Sequence, residues 1–282
     1  MGWVHQVKHD TFDKYPADSL ELPTQALLTI WDCLPDFRED LVLVGGLAVR
    51  FLTKPPLEGM PGAVTLDVDF GVSLAAESGG GYPGIRESLS GHGFQWEKGR
   101  FTRKFSDMEL AVDLLTDDGK SDRGTAVVDD GLQVSLFPGI NRALKCSREV
   151  TVMGRTLLGS QHVEKIKVAE IGPLLVLKLN AFGGPSGRKA PKDAHDILYL
   201  ATNYLDGTSA AVAAFQAERR MRDRGMLHAL KCLEDFFLNP DAPGPTACAA
   251  FQLNNQHREP QNEYVSLRIR QQCVTLAQAL LA

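Results

Sequence analysis

The sequence predicts an α+β fold in which a mixed sheet with flanking helices is followed by a C-terminal helical region. Short apolar runs bounded by glycine or polar turns recur between residues 41 and 169, which is typical of β-strands. After Pro173 the apolar residues instead recur at helical spacing to the end of the chain. We therefore expect a first domain over residues 1–171 and a helical region over residues 172–282.

These patterns predict the following elements in chain order. The first half contains helix 19–37, strand 41–44, helix 47–52, strand 64–70, a glycine-rich loop at 79–84, helix 85–91, strands 94–97, 101–105 and 109–115, a hairpin over 150–158 that turns at 153–154, and strand 166–169. The second half contains helices 174–182, 194–205, 210–225, 226–238 and 263–281. The sequence therefore alternates strands and helices before it becomes helical.

The composition is that of an ordinary globular protein. The 282 residues are 44% hydrophobic and 23% charged, which argues against a disordered chain. The five cysteines are odd in number and contain no Cys-x-x-Cys pair, so a disulfide framework or a cysteine-based zinc site is not expected. No signal-peptide pattern opens the sequence, and no apolar run reaches the roughly 18 residues of a membrane span. We expect a cytoplasmic protein without a membrane partner.

The charge is unevenly distributed along the chain. The net charge of −5 excludes a uniformly basic protein. Residues 142–192 nevertheless contain 10 basic and 3 acidic side chains, a local net charge of +7. Such a block indicates contact with a phosphate-bearing partner.

Two aspartates form the sharpest local feature. Asp67 and Asp69 flank Val68 in a predicted strand, so both carboxylates point to one face, about 6.6 Å apart along the chain. Two carboxylates held side by side repel unless a cation lies between them. A hard divalent ion such as Mg²⁺ prefers such oxygens and binds substrate phosphates as well. The alternative is that the two aspartates simply end a surface strand.

A third aspartate and a pair of glycines extend this pattern. Asp113 lies inside the apolar run Ala111-Val112-Asp113-Leu114-Leu115, and an unpaired buried carboxylate is costly. It therefore needs a partner or a metal, unless that strand face is exposed to solvent. About 20 residues before Asp67, strand 41–44 ends in Gly45 and Gly46, whose backbone N–H groups can approach a phosphate closely.

Together, these features resemble the minimal nucleotidyltransferase superfamily, the DNA polymerase β-like fold. Its pattern is a strand, a Gly-Gly or Gly-Ser turn, a helix, a strand with an acid pair, and a later third acid. The resemblance implies a nucleotidyltransferase core over residues 1–171. It also implies that Gly45 and Gly46 bind the triphosphate, and that three residues are catalytic and bind metal: Asp67, Asp69 and Asp113.

A second motif lies in the C-terminal half. Lys178 lies in an apolar helix, and Arg188 precedes the run Lys192-Asp193-Ala194-His195-Asp196-Ile197. These residues resemble the lysine helix and the Lys-Asp-x-x-Asp signature of the AbiEii toxin-like nucleotidyltransferases. The resemblance implies that Lys178 contacts nucleotide phosphates and Asp193 is a site acid. It assigns a supporting role to three more residues: Arg188, Lys192 and Asp196.

One position departs from that family. The family often has an arginine two residues before the threonine that precedes Asp-x-Asp, and this sequence has Ala63 there. Arg50 is then a candidate to supply the missing contact. This departure bears on how the acceptor is bound more than on how metal is bound.

The resemblance implies a reaction. Two Mg²⁺ ions and an NTP would serve the transfer of an NMP to an acceptor hydroxyl, on RNA such as a tRNA end or on a protein. An antitoxin would be a further partner. The runner-up enzyme is a small-molecule nucleotidyltransferase of the aminoglycoside type, and the non-enzyme alternative is a nucleotide-binding module without catalysis.

Two further features have open interpretations. Arg219, Arg220, Arg222 and Arg224 form a dense basic cluster, either a solvated helix face or a contact with a nucleic-acid backbone. His195 is expected on a helix surface or at a helix cap rather than in catalysis.

Overall fold

A computed structural model describes residues 9–16, 19–56, 60–75, 84–105, 108–129 and 131–282 of the chain. The described residues form two compact units. The first unit contains those within Ala17–Phe51 and Thr65–Glu170. The second contains those within Lys8–Pro16, Leu52–Val64 and Ile171–Ala282. Residues 79–83 of the predicted glycine-rich loop lie outside the described residues, and the division of the chain into domains at residue 171 stays a prediction.

The first unit contains the strands. Its helices are α1 (Glu21–Cys33), α2 (Gly45–Leu52, whose last residue belongs to the second unit), α3 (Ile85–Gly91) and α4 (Ile140–Lys145). Its strands are β1 (Leu41–Val44), β2 (Asp67–Val72), β3 (Gln95–Glu97), β4 (Arg100–Phe105), β5 (Met108–Thr116), β6 (Thr125–Val128), β7 (Leu132–Leu136), β8 (Ser147–Arg155) and β9 (Gln161–Ala169).

The strands form one mixed sheet. Their order is β3-β4-β5-β2-β1-β9-β8, and β7 pairs with both β5 and β6. The pairs β1–β9, β2–β5 and β5–β7 are parallel, whereas the other pairs are antiparallel. Beneath the sheet, Trp31 of α1 stacks on Phe70 of β2 with ring centroids 6.3 Å apart. In the strand order given above, β2 and its neighbours β5 and β1 form the centre of the sheet.

The second unit is helical. Its helices are α5 (Ile171–Gly183), α6 (Pro191–Thr202), α7 (Thr208–Glu218), α8 (Arg224–Phe236), α9 (Pro243–Gln252) and α10 (Glu263–Leu281). α5 is apolar on nearly all sides and is buried among its neighbours, where Phe182 packs edge-on against Phe237 at 5.1 Å. The mixed sheet with flanking helices and the helical C-terminal region confirm the predicted fold class.

The predicted hairpin at residues 150–158 is wrong. Met153 and Gly154 lie inside β8, and the chain turns afterwards, where Thr156 N–H donates to Ser160 O at 2.8 Å and Gly159 has φ +88°. Gly154 lies where the strand packs closely on α1, since a Cβ there would lie 3.1 Å from Leu28 Cδ1. A glycine needed for close approach has the same sequence signature as a turn glycine.

The single arginine-rich helix over 210–225 is also wrong. α7 ends at Glu218, Arg222 has a left-handed φ of 49°, and the Asp223 carboxylate caps α8 by accepting from Met226 N–H at 2.8 Å. The four arginines are consequently spread over a helix end, a connection and a helix start, and do not share one helical face. This break argues against a continuous basic face.

Among the described strands and α-helices, two of each were not predicted from the sequence. They are β6, β7, α4 and α9. α9 begins with the run Pro-Gly-Pro, which predicts a loop from sequence, but prolines in the first turn of a helix forgo only N–H groups that have no intrahelical acceptor. Within the described ranges, no helix has both the length and the apolar character that crossing a membrane requires.

Candidate active site

Asp67 and Asp69 lie on the more exposed face of β2. Both are half-buried, whereas Val68 and Phe70 on the opposite face are fully buried in the core. Thr65, just before the strand, exchanges two hydrogen bonds of 3.2 Å with Asp67, donating from its Oγ1 to the backbone O and accepting from the backbone N–H. Alternation along the strand therefore directs both carboxylates to one side of the sheet.

Asp113 joins them from the neighbouring strand. β2 and β5 pair in parallel with Asp69 opposite Asp113 and Asp67 opposite Ala111. Asp113 is half-buried between Val112 and Leu114, which are fully buried. Three carboxylates thus share one face of two central strands, and we call Asp67, Asp69 and Asp113 the acid cluster.

The paired glycines lie against this cluster. β1 pairs with β2 so that Val44 faces Asp69, and α2 begins directly at Gly45, which has φ +71°. A Cβ at Gly45 would lie 1.8 Å from Asp69 Oδ2, and a Cβ at Gly46 would lie 2.5 Å from Thr65 Cβ. Glycine is required at both positions because the start of α2 lies so close to Asp69 and Thr65 that no side chain fits between them. The predicted turn is therefore the first turn of the helix.

Arg100 is the residue that sequence reasoning missed. Its Nε donates to Asp113 Oδ1 at 2.9 Å and its Nη2 to Asp113 Oδ2 at 2.6 Å, while Nη2 lies 4.0 Å from Asp67 Oδ2. Arg100 is the first residue of β4. Because β4 and β5 are antiparallel and Phe101 pairs with Val112, Arg100 lies opposite Asp113. The register of two neighbouring antiparallel strands was a signal that could have identified the pair.

The acid cluster creates a strongly negative field at Arg100. Burial lowers the pKa of Arg100, but the carboxylates of Asp113, Asp67 and Asp69 outweigh it, so the pKa is raised above its ordinary value. The carboxylates of all three acids therefore stabilise the charged guanidinium of Arg100.

The oxygen donors of the acid cluster are of the chemical type that a hard divalent cation prefers. Three carboxylates on one face offer only oxygen ligands, which Mg²⁺ prefers, and the Arg100 guanidinium already occupies the position of a counter-ion. The carboxylates are not a closely grouped ligand set as they stand. Within the described residues, a set of three donor atoms within 4.8 Å of one another occurs elsewhere, at Asp32, His162 and Glu164.

The second unit holds a different arrangement. Lys178 Nζ and Lys192 Nζ both donate to Asp196 Oδ2, at 2.6 and 2.7 Å. Their side chains are only 5%, 3% and 1% exposed, in the order Lys178, Lys192 and Asp196. Burial raises the pKa of Asp196, but the two ammonium groups outweigh it and hold the pKa well below its usual range. We call these three residues the lysine cluster.

The other residues of the second motif lie beside this cluster. Asp193 is fully buried, with Oδ2 3.5 Å from Arg188 Nη2, and Arg188 is 35% exposed. The expected surface position of His195 is wrong, because the ring is fully buried and stacks between Tyr199 and Phe251. Its Nε2 lies 3.0 Å from Gly62 O and its Nδ1 3.3 Å from Gln252 Nε2. Burial lowers the pKa of His195 to about 4, so the ring is neutral at pH 7.

The predicted site residues therefore form two groups. The first unit brings together Gly45, Gly46 and the acid cluster. The second unit brings Lys178, Arg188, Lys192 and Asp193 onto α5, α6 and the loop that joins them. At the position where the family often has arginine, the Ala63 side chain is buried.

Comparison with known proteins adds little to this geometry. No protein-family model matches the chain, and no curated protein matches it. Among solved structures, the chain is similar to the E. coli MS115-1 CdnC:HORMA-deltaN complex at 13% identity, over 98% of this chain and 92% of that chain, with a TM-score of 0.24. A likeness at that TM-score carries no argument about fold or activity.

Proposed function

We propose that the protein is a Mg²⁺-dependent nucleotidyltransferase that transfers an NMP from an NTP to an acceptor hydroxyl. The observation that carries this proposal is the pairing of Asp69 with Asp113 across β2 and β5, with Asp67 on the same face. Three carboxylates on adjacent strands fit the metal-dependent transfer of phosphoryl or nucleotidyl groups, and a purely structural role does not require them.

The roles of the acids follow from their positions. Asp67, Asp69 and Asp113 would hold the Mg²⁺ ions, which when bound favour the ionised acceptor hydroxyl and neutralise the pyrophosphate. The acceptor oxygen forms a bond to the α-phosphorus and loses its proton, the bond from that phosphorus to the bridging oxygen breaks, and pyrophosphate leaves. The chain's part is to hold both reactants in line beside β2 and β5.

Gly45 and Gly46 serve the triphosphate in this proposal. They form the first turn of α2, where backbone N–H groups have no intrahelical acceptor and the helix dipole favours an anion. Their lack of side chains leaves the N–H groups uncovered. The contact of Gly45 with Asp69 supports a phosphate position beside the acid cluster.

The second motif serves the nucleotide as well. We assign Lys178, Arg188, Lys192 and Asp193 to nucleotide binding, as the resemblance to the AbiEii toxin-like family implies. Arg188 is the most exposed of the cations, so it is the one that a phosphate reaches directly. Lys178 and Lys192 act through charge while their ammonium groups stay on Asp196.

The acceptor is RNA in this proposal. The support is the +7 net charge of residues 142–192. A protein hydroxyl, an antitoxin partner and a cytoplasmic setting belong to the same toxin-like proposal, and a small-molecule acceptor would use the same acid cluster.

A second candidate is a nucleotide-binding module without catalysis. The observation that favours it is the bidentate Arg100–Asp113 pair, which engages both oxygens of the third acid. Equilibrium dialysis with labelled NTP and Mg²⁺ distinguishes the two candidates when combined with an activity assay. The module retains nucleotide but transfers no label.

The activity experiment uses each α-labelled NTP with total RNA. We expect label to enter RNA with the wild type and to be lost in the variant Asp67→Ala plus Asp69→Ala. The matched control is Asp235→Ala plus Asp241→Ala, which removes two exposed carboxylates from the second unit. Transfer that survives the loss of Asp67 and Asp69 would refute the proposal.

A further inference from the structure

The pairing of Arg100 with Asp113 carries a consequence for the proposed metal site. The guanidinium engages both carboxylate oxygens of Asp113, at 2.9 and 2.6 Å, and lies 4.0 Å from Asp67 Oδ2. The side chains of Arg100, Asp67 and Asp113 are 10%, 15% and 17% exposed. Charge-assisted, bidentate bonds at this degree of burial are among the strongest polar contacts that a side chain makes.

Local structure fixes Arg100 in this place. β3 and β4 form a hairpin in which Glu97 pairs with Arg100, and the two residues between them, Lys98 and Gly99, have φ 51° and 83°. Positive φ at both positions is typical of the tight turn that matches strand twist. The tight hairpin therefore restricts the position of Arg100 beside Asp113. Because a guanidinium stays protonated in proteins, the contact cannot be lost by deprotonation of Arg100.

A divalent cation needs the same oxygens. Mg²⁺ binds carboxylate oxygen at about 2.1 Å, which leaves no room for a guanidinium nitrogen on the same oxygen lone pairs in the same direction. Each Asp113 oxygen keeps a second lone pair, but the lone pairs that accept from Arg100 are not open to a metal, so the guanidinium and a cation that approaches from the same side compete for Asp113. Asp69 lies opposite Asp113 in the register, so a cation at Asp69 would meet this competition directly.

We propose that Arg100 is a built-in counter-ion of the acid cluster that competes with the divalent cation for Asp113. This inference rests on the proposed function, because it assumes that the cluster binds metal. The Arg100–Asp113 pair and a cation bound to Asp113 from the same side therefore disfavour one another. The pair thereby stabilises three neighbouring carboxylates in the absence of metal and sets the cation concentration at which the site fills.

The test measures Mn²⁺ affinity from the free-ion electron paramagnetic resonance signal. We expect Arg100→Ala to bind Mn²⁺ about tenfold more tightly than the wild type, because a charge-assisted contact no longer has to be broken. Arg100→Lys should give a smaller gain, since it retains the charge without the bidentate geometry. The control is Lys104→Ala, which removes an exposed positive charge from the same strand and leaves Asp113 untouched.

A double-mutant cycle separates competition from general electrostatics. In an Asp113→Asn background, Arg100→Ala should change Mn²⁺ affinity less than twofold, because the contested ligand is gone. An equal tenfold gain in that background would overturn the proposal, as would unchanged or weaker Mn²⁺ binding in Arg100→Ala. Those results leave the proposed function intact. Absence of Mn²⁺ binding by wild type and Arg100→Ala alike would overturn the proposed function instead.

A measurement on the wild type covers the case in which Arg100→Ala does not fold. With ¹⁵N-labelled arginine, the Nε–H signal of Arg100 is identified by its absence in Arg100→Lys. We expect saturating Mg²⁺ to shift or broaden this signal as the guanidinium leaves Asp113. An unchanged signal in protein that has bound Mg²⁺ would refute the competition.

Discussion

In the acid cluster and in the lysine cluster, like charges lie close together and share one group of opposite charge, but the signs of the charges are reversed. In the first unit, one guanidinium is shared by Asp113 and Asp67. In the second unit, one carboxylate, that of Asp196, is shared by Lys178 and Lys192. The first arrangement is rich in negative charge and the second in positive charge.

Burial shows what this difference means. The lysine cluster is at most 5% exposed, whereas the side chains of Asp67 and Asp113 are 15% and 17% exposed. A fully buried ion group is expensive to disrupt and cannot meet a ligand without rearrangement. The acid cluster is the more accessible of the two, which is consistent with its part in the proposed function, and the burial of the lysine cluster favours a role in stability.

The largest expected effect is the loss of stability when Asp196 is removed. Asp196→Ala leaves two buried ammonium groups without their shared carboxylate, and we expect the free energy of unfolding to fall by about 3–5 kcal/mol. The measurement is urea unfolding followed by far-UV circular dichroism, which is dominated by the helices of the second unit. Tryptophan fluorescence reports on the first unit, which contains Trp31 and Trp96.

A matched control exists for this change. Lys231 and Asp235 form an ion pair with the same i,i+4 spacing as Lys192 and Asp196, but on an exposed surface. Asp235→Ala should leave the unfolding curve unchanged, because exposed pairs contribute little. Equal effects of the two substitutions would show that burial of the lysine cluster is not what makes it structural.

His195 predicts how the second unit depends on pH. Its pKa of about 4 in the folded state lies below the ordinary value of 6.5, so the unfolded state binds more protons between these values. Stability from the neutral ring is fully present above pH 6.5 and is lost as the pH falls towards 4, by up to about 3 kcal/mol. His195→Gln should flatten this part of the curve of unfolding free energy against pH. A wild-type curve that stays flat from pH 6.5 to 4 would contradict the buried, neutral ring.

The acid cluster allows a test of geometry at Gly45. A Cβ at Gly45 would lie 1.8 Å from Asp69 Oδ2, so Gly45→Ala must displace the carboxylate as well as strain the backbone. Gly119 is the matched control: its φ of 68° resembles the 71° of Gly45, but a Cβ there meets nothing within 4 Å. We expect Gly45→Ala to destabilise the first unit by about 2 kcal/mol more than Gly119→Ala.

The same pair of variants tests the proposed activity. A displaced Asp69 should lower label transfer about 100-fold, since small misplacements of reacting groups are costly. Gly119→Ala should transfer label at the wild-type rate. Similar rates in both variants would indicate that Asp69 does not belong to the reacting site.

Local patterns predicted the part of the fold that carries the acid cluster. Strand 41–44, the glycine pair and the alternation around Asp67 are each determined by neighbouring residues, and β1, α2 and β2 follow. The burial of Val68 and Phe70 was predictable for the same reason. Asp113 was recognisable because an acid in an apolar strand needs a partner.

Contacts that depend on distant residues were not predictable in this way. The partner of Asp113 proved to be Arg100, a choice made by strand register rather than by any motif. A Cβ at Gly154 would lie 3.1 Å from Cδ1 of Leu28, a residue far away in sequence. His195 was expected at the surface, yet residues from 62 to 252 enclose it. Strand register decided the first of these contacts, and tertiary packing decided the other two.

The smallest expected effects come from the single lysines. Lys178→Met or Lys192→Met leaves Asp196 with one ammonium group, a balanced pair, so each should cost about 1 kcal/mol of unfolding free energy. The double variant leaves a buried carboxylate with neither ammonium group and should cost clearly more than the sum of the two. Additive losses would mean that the lysines do not share Asp196.

In equilibrium dialysis, Arg188→Ala should weaken NTP retention more than either single lysine change, because Arg188 is the exposed cation of the group. A larger effect of Lys178→Met in a variant that keeps its stability would instead make Lys178 the direct phosphate contact, and would place function inside the buried cluster as well.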